Sequence, residues 1–283
     1  MRLAQEAERL GYAAVWTHER LLYALGDVPQ PGGPPRPLPD HYRTTYEPIE
    51  TLAYVAAKTT GIKLGISVLV APFHVPVVLA RRLATLDQFS QGRVIAGLGQ
   101  GWMEQEFIAA NVTRKHRGRG VEEFITAMRA AWGPNPVTFE GLFYRIPTAQ
   151  INPKPIQQSG IPILMGGFAP PAIERAARMA DGFNPIAISF EALEALVHRF
   201  RTAALAAGRN PATLKIVVRA NVPITDLPMN DNRPFLGGSP EQVASDLLRV
   251  RGLNVDHVFF VNVAQPPLDD QVRLLKRLQD EAA

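Results

Sequence analysis

Cysteine is absent from the 283 residues. Disulfides, thiolate zinc sites, iron–sulfur clusters and a cysteine nucleophile are thereby excluded. The composition suits a reducing cytoplasm, which is the expected location. No apolar run reaches the ~18 residues of a membrane-crossing helix. The opening residues, Met1-Arg2-Leu3-Ala4-Gln5-Glu6, are charged and helical in character, unlike a signal peptide. An excess of one charge sign is also missing: 30 Lys and Arg against 26 Asp and Glu leave +4. That is too mild for a nucleic-acid binder. The histidines, at 18, 41, 74, 116, 198 and 257, show no HxH or HExxH spacing, so no metal site is expected. A serine triad has no GxSxG elbow to anchor it. A small-molecule partner is left as the expectation, with neither nucleic acid nor membrane.

Helical and strand patterns alternate along the chain. Strands are read near 12–17, 62–71, 93–98, 161–165, 182–186, 215–224 and 257–261. Helices are read over Leu3 to Leu10, Pro48 to Thr60, Pro76 to Phe89, Trp102 to Ala110 and Gly120 to Trp132. Further helices cover Pro171 to Ala180, Phe190 to Ala207, a segment capped by Ser239-Pro240-Glu241, and Leu268 to Ala282. Phe139 to Tyr144 suggests a surface hairpin. Gly26 to Pro39, dense in proline and glycine, is read as irregular loop. Strands alternating with helices, and apolar on both faces, indicate parallel βαβ units. The expected fold is a single α/β domain over 1–283, a TIM-like (β/α)8 barrel with a long insertion loop over 26–46. Only seven strands are legible, and the chain opens on a helix. The first barrel strand is therefore expected to be missing, either because the start lies upstream or because the protein lacks it. An open seam between the first and last strands follows, plugged by a partner or a loop.

Several constellations could carry chemistry. Gly97-Leu98-Gly99-Gln100-Gly101-Trp102 fails as a dinucleotide fingerprint, because no acidic residue ends a following strand. It reads better as a strand end passing close to a flat ligand or a neighbouring strand. Gly166-Gly167 lies between a strand and a helix start, where free N–H groups and the helix dipole suit a phosphate. His18 follows a strand end, the catalytic position of a barrel, and can exchange a proton with substrate. Glu19 is a second candidate in that turn. Glu104 and Glu106 are read as helix-surface charges. Arg114-Lys115-His116-Arg117-Gly118-Arg119 reads either as a solvated loop or as a contact for an anionic cofactor tail.

Together these segments resemble the luciferase-like flavin and deazaflavin oxidoreductases, most closely the branch using coenzyme F420. The resemblance runs through Glu8 to Trp16, Leu64 to Pro72, Pro76 to Ala80, Leu83 to Asp87, Ser90 to Val94 and Gly97 to Trp102. It continues in Gly166-Gly167, Arg175 to Arg178 and Ala180 to Phe183. It implies a cofactor ring at the C-terminal mouth of the barrel, a non-proline cis peptide at Ser67-Val68, and a homodimer. It also implies His18 as the catalytic residue. Cofactor contacts would come from Ser67, Val68, Gly97, Gly99, Met165, Gly166, Gly167 and Ala172. Tyr46 and Trp102 would face the substrate, under a loop from Gly26 to Tyr46 that excludes water. The aromatics Tyr23, Tyr42, Tyr46 and Trp102 suggest an apolar planar or alicyclic substrate. The chain has Gln100 where some sugar-phosphate-oxidising relatives place an acid, so it cannot copy that acid's step. The leading expectation is F420-dependent hydride transfer. FMN-dependent monooxygenation and a degenerate, non-catalytic barrel are the alternatives.

Overall fold

A computed structural model describes residues 1–30 and 33–282. In chain order it contains α1 (Arg2–Arg9), β1 (Ala14–Thr17), β2 (Val28–Gln30), β3 (Gly33–Arg36), α2 (Pro48–Ala56), β4 (Lys63–Val70) and α3 (Pro76–Phe89). Next come β5 (Val94–Gly99), α4 (Glu104–Ala109), α5 (Arg119–Trp132), β6 (Val137–Glu140), β7 (Arg145–Ala149) and β8 (Ile163–Met165). The chain ends with α6 (Pro170–Met179), β9 (Gly182–Phe183), α7 (Phe190–Ala206), β10 (Lys215–Val222), α8 (Pro240–Arg251), β11 (His257–Asn262) and α9 (Leu268–Ala282). Hydrogen-bonded neighbours in the main sheet follow the order β1-β4-β5-β8-β9-β10-β11, seven strands as the sequence predicts. Two compact units divide the chain: Met1–Trp16, Lys58–Gly65 and Leu164–Ala283 form one, Thr17–Ala57 and Ile66–Ile163 the other.

In the first unit, β8 to β11 run parallel, each joined to the next by hydrogen bonds. Glu8 of α1 accepts the backbone N–H groups of Thr60, Gly61 and Ile62 at 2.8, 2.7 and 3.0 Å. Those amides cannot then serve a helix, and α2 ends at Ala56 short of the expected Thr60. Helix α8 starts as predicted, with a capping box between Ser239 and Gln242.

The sheet's edge strands, β1 and β11, meet through side chains. Trp16 occupies the space over Gly65, where an added Cβ would fall 2.2 Å from the indole. The indole stacks on Phe259 at 4.4 Å and its Nε1–H donates to His257 Nε2 at 3.2 Å. Between these strands Trp16, His257 and Phe259 form an aromatic bridge, and the three rings provide area and stacking geometry there.

Burial pushes the His257 imidazole below its ordinary value. The unfolded chain then takes up a proton more readily than the folded one. Stability is therefore retained above about pH 6.5 and lost as pH falls through the depressed folded value. Protonation also removes the acceptor for Trp16. The melting temperature should drop between about pH 7 and pH 5, and His257→Gln should flatten that dependence. An unchanged pH profile in the variant would reject His257 as the titrating group.

In the second unit, β4 from Ile66 onward neighbours β5, and the Ala96 N–H donates to the Pro162 carbonyl at 2.9 Å. Leu79 and Leu83 of α3 and Phe124 and Met128 of α5 are buried. The proline- and glycine-rich stretch is partly regular, contrary to expectation. Val28 pairs with Arg36 and Gln30 with Gly33 in an antiparallel hairpin. An isolated two-stranded ribbon needs only alternate N–H groups, so Pro29, Pro34 and Pro35 fit beside the paired residues. Ala24, Val28, Leu38 and Met103 form a small core beneath it, joined by Leu22, Tyr23, Tyr42 and Trp102. Pro31 and Gly32, inside the expected loop, and Ala283 lie outside the described residues.

Candidate functional site

In the second unit the chemistry-bearing residues gather at the ends of β1, β4 and β5. A cis peptide joins Ser67 to Val68, at the position the resemblance implies. Strand β5 runs on to Gly99, and the chain turns at Gly101, whose φ is +68°. A Cβ on Gly97 would stand 2.1 Å from the Ile66 carbonyl oxygen, and one on Gly99 2.5 Å from Val68 Cγ2. These glycines let β5 approach β4 closely, the neighbouring-strand option of the sequence reading.

The turn after β1 is tied to the same strand. The Glu19 N–H donates to the Val68 carbonyl at 3.4 Å, and one Glu19 carboxylate oxygen accepts the Val70 N–H at 2.6 Å. The other oxygen lies 2.8 Å from His74 Nε2, with the two side chains 8% and 16% exposed. Glu19 thus holds the turn carrying His18 against the end of β4. His18 is half-buried and meets the Tyr42 ring edge-on, centroids 5.5 Å apart.

Glu106 corrects the sequence reading. Its carboxylate is 3% exposed, receives Arg20 Nη1 at 3.0 Å and accepts the Leu21 N–H at 2.8 Å. A buried carboxylate is tolerable only when paired and hydrogen-bonded. Glu104 does lie on the surface, paired with Arg114 at 2.7 Å. The Arg20 guanidinium also sits 4.8 Å from the Tyr42 ring centroid and 5.4 Å from that of Trp102. Tyr23 donates its hydroxyl to the Leu38 carbonyl at 2.9 Å, while Tyr46 is exposed.

The basic run has a defined anchor. Arg117 donates to the Gln100 carbonyl at 3.2 Å and to the Gly101 carbonyl, and Gln100 Oε1 accepts the Gly118 N–H at 3.1 Å. Burial, then the nearby Arg114 charge, lowers the Arg117 pKa. Lys115 and Arg119 remain exposed.

The first unit holds the remaining candidates. Met165 is buried, and its carbonyl accepts the Asn184 N–H at 2.9 Å. Gly166 and Gly167 follow β8, and a Cβ on Gly167 would lie 2.8 Å from that of the buried Ala172. Pro170 and Pro171 have no N–H, and the Ala172 N–H is taken by the Ala169 carbonyl at 2.9 Å. An anion here would therefore draw its donors from the amides of Gly167, Phe168 and Ala169. The sequence reading missed Arg219, which is 8% exposed within β10 and donates from Nε to Asn221 Oδ1 at 2.8 Å. Its signal was available: one arginine inside the apolar run Lys215–Val222.

A family model described as luciferase-like monooxygenase matches residues 1–228. The chain belongs to the luciferase-like monooxygenase family. An FMNH2-dependent dimethylsulfone monooxygenase of Pseudomonas putida is 30% identical over 224 residues, covering 78% of this chain and 56% of the relative. An uncharacterized Mycobacterium tuberculosis protein is 34% identical over 145 residues, 51% of each chain. The chain thus spans little more than half the length of these curated relatives. The monooxygenase RslO1 from Streptomyces bottropensis superposes with a TM-score of 0.81 at 24% identity, over 99% of this chain and 90% of its own. An F420-dependent secondary alcohol dehydrogenase, bound to an F420–acetone adduct, gives 0.80 at 16% identity, over 100% and 94%. These likenesses establish the luciferase-like α/β-barrel fold, here with seven strands in the main sheet. Among the described residues, no helix is long and apolar enough to cross a membrane.

Proposed function

We propose that this chain is an oxidoreductase moving a hydride between the deazaflavin coenzyme F420 and a small organic substrate. In this reading it acts as a homodimer of single barrel domains in the cytoplasm. The observation that carries the cofactor choice is the anchoring of the basic run at the end of β5. Arg117 fixes the segment on the Gln100 and Gly101 carbonyls, leaving Lys115 and Arg119 exposed beside it. F420 extends past its phosphate into an anionic tail; FMN ends at the phosphate. Two exposed cations on an anchored segment suit the former.

In the second unit the Ser67–Val68 segment, backed by Gly97 and Gly99, would support a flat ring. In the first unit the Gly167 to Ala169 amides would suit a phosphate. When bound, a deazaflavin supplies two-electron hydride chemistry. His18 would move the coupled proton at its imidazole, with the turn held by Glu19. FMN-dependent monooxygenation is the second reading, favoured by the 30% identity to a relative named for FMNH2.

A fluorescence titration with oxidised F420, run beside FMN, tests the choice. Saturable binding of F420 alone is expected. Replacing Lys115 and Arg119 together with Ala should weaken F420 about tenfold, as for two exposed ionic contacts. The loss should shrink as salt is raised. FMN-selective binding would move the assignment to a monooxygenase, and no affinity for either ring would indicate a non-catalytic barrel. His18→Ala should bind cofactor normally yet turn over far more slowly; wild-type turnover would remove His18 from the chemistry.

A further inference from the structure

In the first unit a cleft of about 430 Å³ lies between the start of α7, the segment leading into α8, and α8 itself. Its size falls within the ~300–1,000 Å³ of small-molecule pockets. The redox reading uses none of its residues. Ile188, Phe190 and Phe235 give it an apolar wall, and the two phenyl rings meet edge to face with centroids 5.8 Å apart. Two of its charges are already committed to each other. Arg233 Nη1 and Nη2 reach the two Asp246 carboxylate oxygens at 2.6 and 3.2 Å. Arg249, Glu191 and Asp231 also line the cleft and are exposed.

Arg249 and Glu191 are each held by something other than the other. The Arg249 guanidinium sits 4.1 Å from the Phe190 ring centroid and 5.7 Å from that of Phe235. A ring face is met through the cation's charge, so the N–H fork keeps its donors for an acceptor. The Glu191 carboxylate is bonded by its own backbone N–H and then by the Ser189 hydroxyl, which hold its pKa below the ordinary value. Arg249 Nη2 and a Glu191 oxygen stand 3.7 Å apart, beyond hydrogen-bond length. From this arrangement we propose that the cleft binds a free α-amino acid with an apolar side chain. Its carboxylate takes the Arg249 fork, and its ammonium group meets Glu191 and Asp231. Its side chain lies along Ile188, Phe190 and Phe235. An α-amino acid carries opposite charges on adjacent carbons, so it needs opposite partners a few ångströms apart. A plain carboxylate would answer Arg249 but face two like charges, and a plain amine would do the reverse. Arg249 against Glu191 and Asp231 leaves one net negative charge, which disfavours a phosphate or a dicarboxylate.

Three probes with one skeleton separate the two charges. L-phenylalanine has both, 3-phenylpropionate lacks the ammonium group, and 2-phenylethylamine lacks the carboxylate. Titration calorimetry on the full chain should show saturable binding of L-phenylalanine and about tenfold weaker binding of each of the others. L-phenylalanine should also raise the melting temperature, as a ligand of the native state does. Arg249→Gln and Glu191→Gln each remove one exposed charge, so both proteins should fold. Arg249→Gln should weaken L-phenylalanine and 3-phenylpropionate about tenfold and leave 2-phenylethylamine unchanged. Glu191→Gln should weaken L-phenylalanine and 2-phenylethylamine instead. Structural damage to the cleft would weaken all three probes together and would not give this crossed pattern. Absence of L-phenylalanine binding would overturn the proposal, as would 3-phenylpropionate or 2-phenylethylamine binding equally well. Wild-type affinity for L-phenylalanine in both variants would place the amino acid elsewhere on the chain and overturn it too.

Discussion

Gly97→Ala should be among the most damaging single changes in the second unit. The new Cβ would stand 2.1 Å from the Ile66 carbonyl oxygen and 3.3 Å from Val68 Cγ1. A backbone oxygen in a paired strand cannot rotate aside, so β4 and β5 must separate. Overpacking of this kind costs up to about 3 kcal/mol and more where the neighbour is rigid. At roughly 2–4 °C per kcal/mol, the melting temperature should fall by about ten degrees. Gly99→Ala makes a useful contrast. Its Cβ meets a side chain, Val68 Cγ2 at 2.5 Å, so shortening that side chain should relieve it. Val68→Ala should recover most of the stability lost in Gly99→Ala and little of that lost in Gly97→Ala. A double-mutant cycle reads this as coupling for the first pair and near additivity for the second. A Gly97→Ala protein as stable as wild type would mean that the glycine is there for a ligand alone.

The same glycines show what the sequence could and could not reveal. Their spacing marked a close approach, and the sequence left open whether ligand or strand makes it. The answer required knowing that Val68 lies opposite. Periodicity and caps located the main elements well: α3 matches its predicted span from Pro76 to Phe89, and α8 starts at its Ser239 cap. Such signals are local, and local chemistry decides them. Failures came where distant residues decide. Glu106 looked like a helix-surface charge because its partner Arg20 is 86 positions away. Helix α2 stops early because Glu8, from another segment, claims the amides after it. The hairpin of β2 and β3 was hidden by prolines that local rules read as breakers. Of the candidate site, His18 and the strand ends were legible as positions. The buried Arg20–Glu106 pair was not, because burial is a property of the fold.

Glu106→Ala should rival Gly97→Ala in cost, for an electrostatic reason. Removing the carboxylate leaves the Arg20 guanidinium, 9% exposed, without its counter-ion, and leaves the Leu21 N–H without its acceptor. Breaking a buried pair from one side typically costs about 3–5 kcal/mol. Most of that is the penalty of the stranded charge, so removing both partners should cost far less. Arg20→Met combined with Glu106→Leu is therefore expected to melt close to wild type, well above Glu106→Ala, in the same thermal scans. The double variant restores a packed turn next to His18, so its cofactor affinity should match wild type. If the double variant remains as unstable as Glu106→Ala, apolar packing cannot replace the pair, and the Leu21 amide is the dominant loss. If it melts with wild type, the stranded charge accounts for the cost of Glu106→Ala.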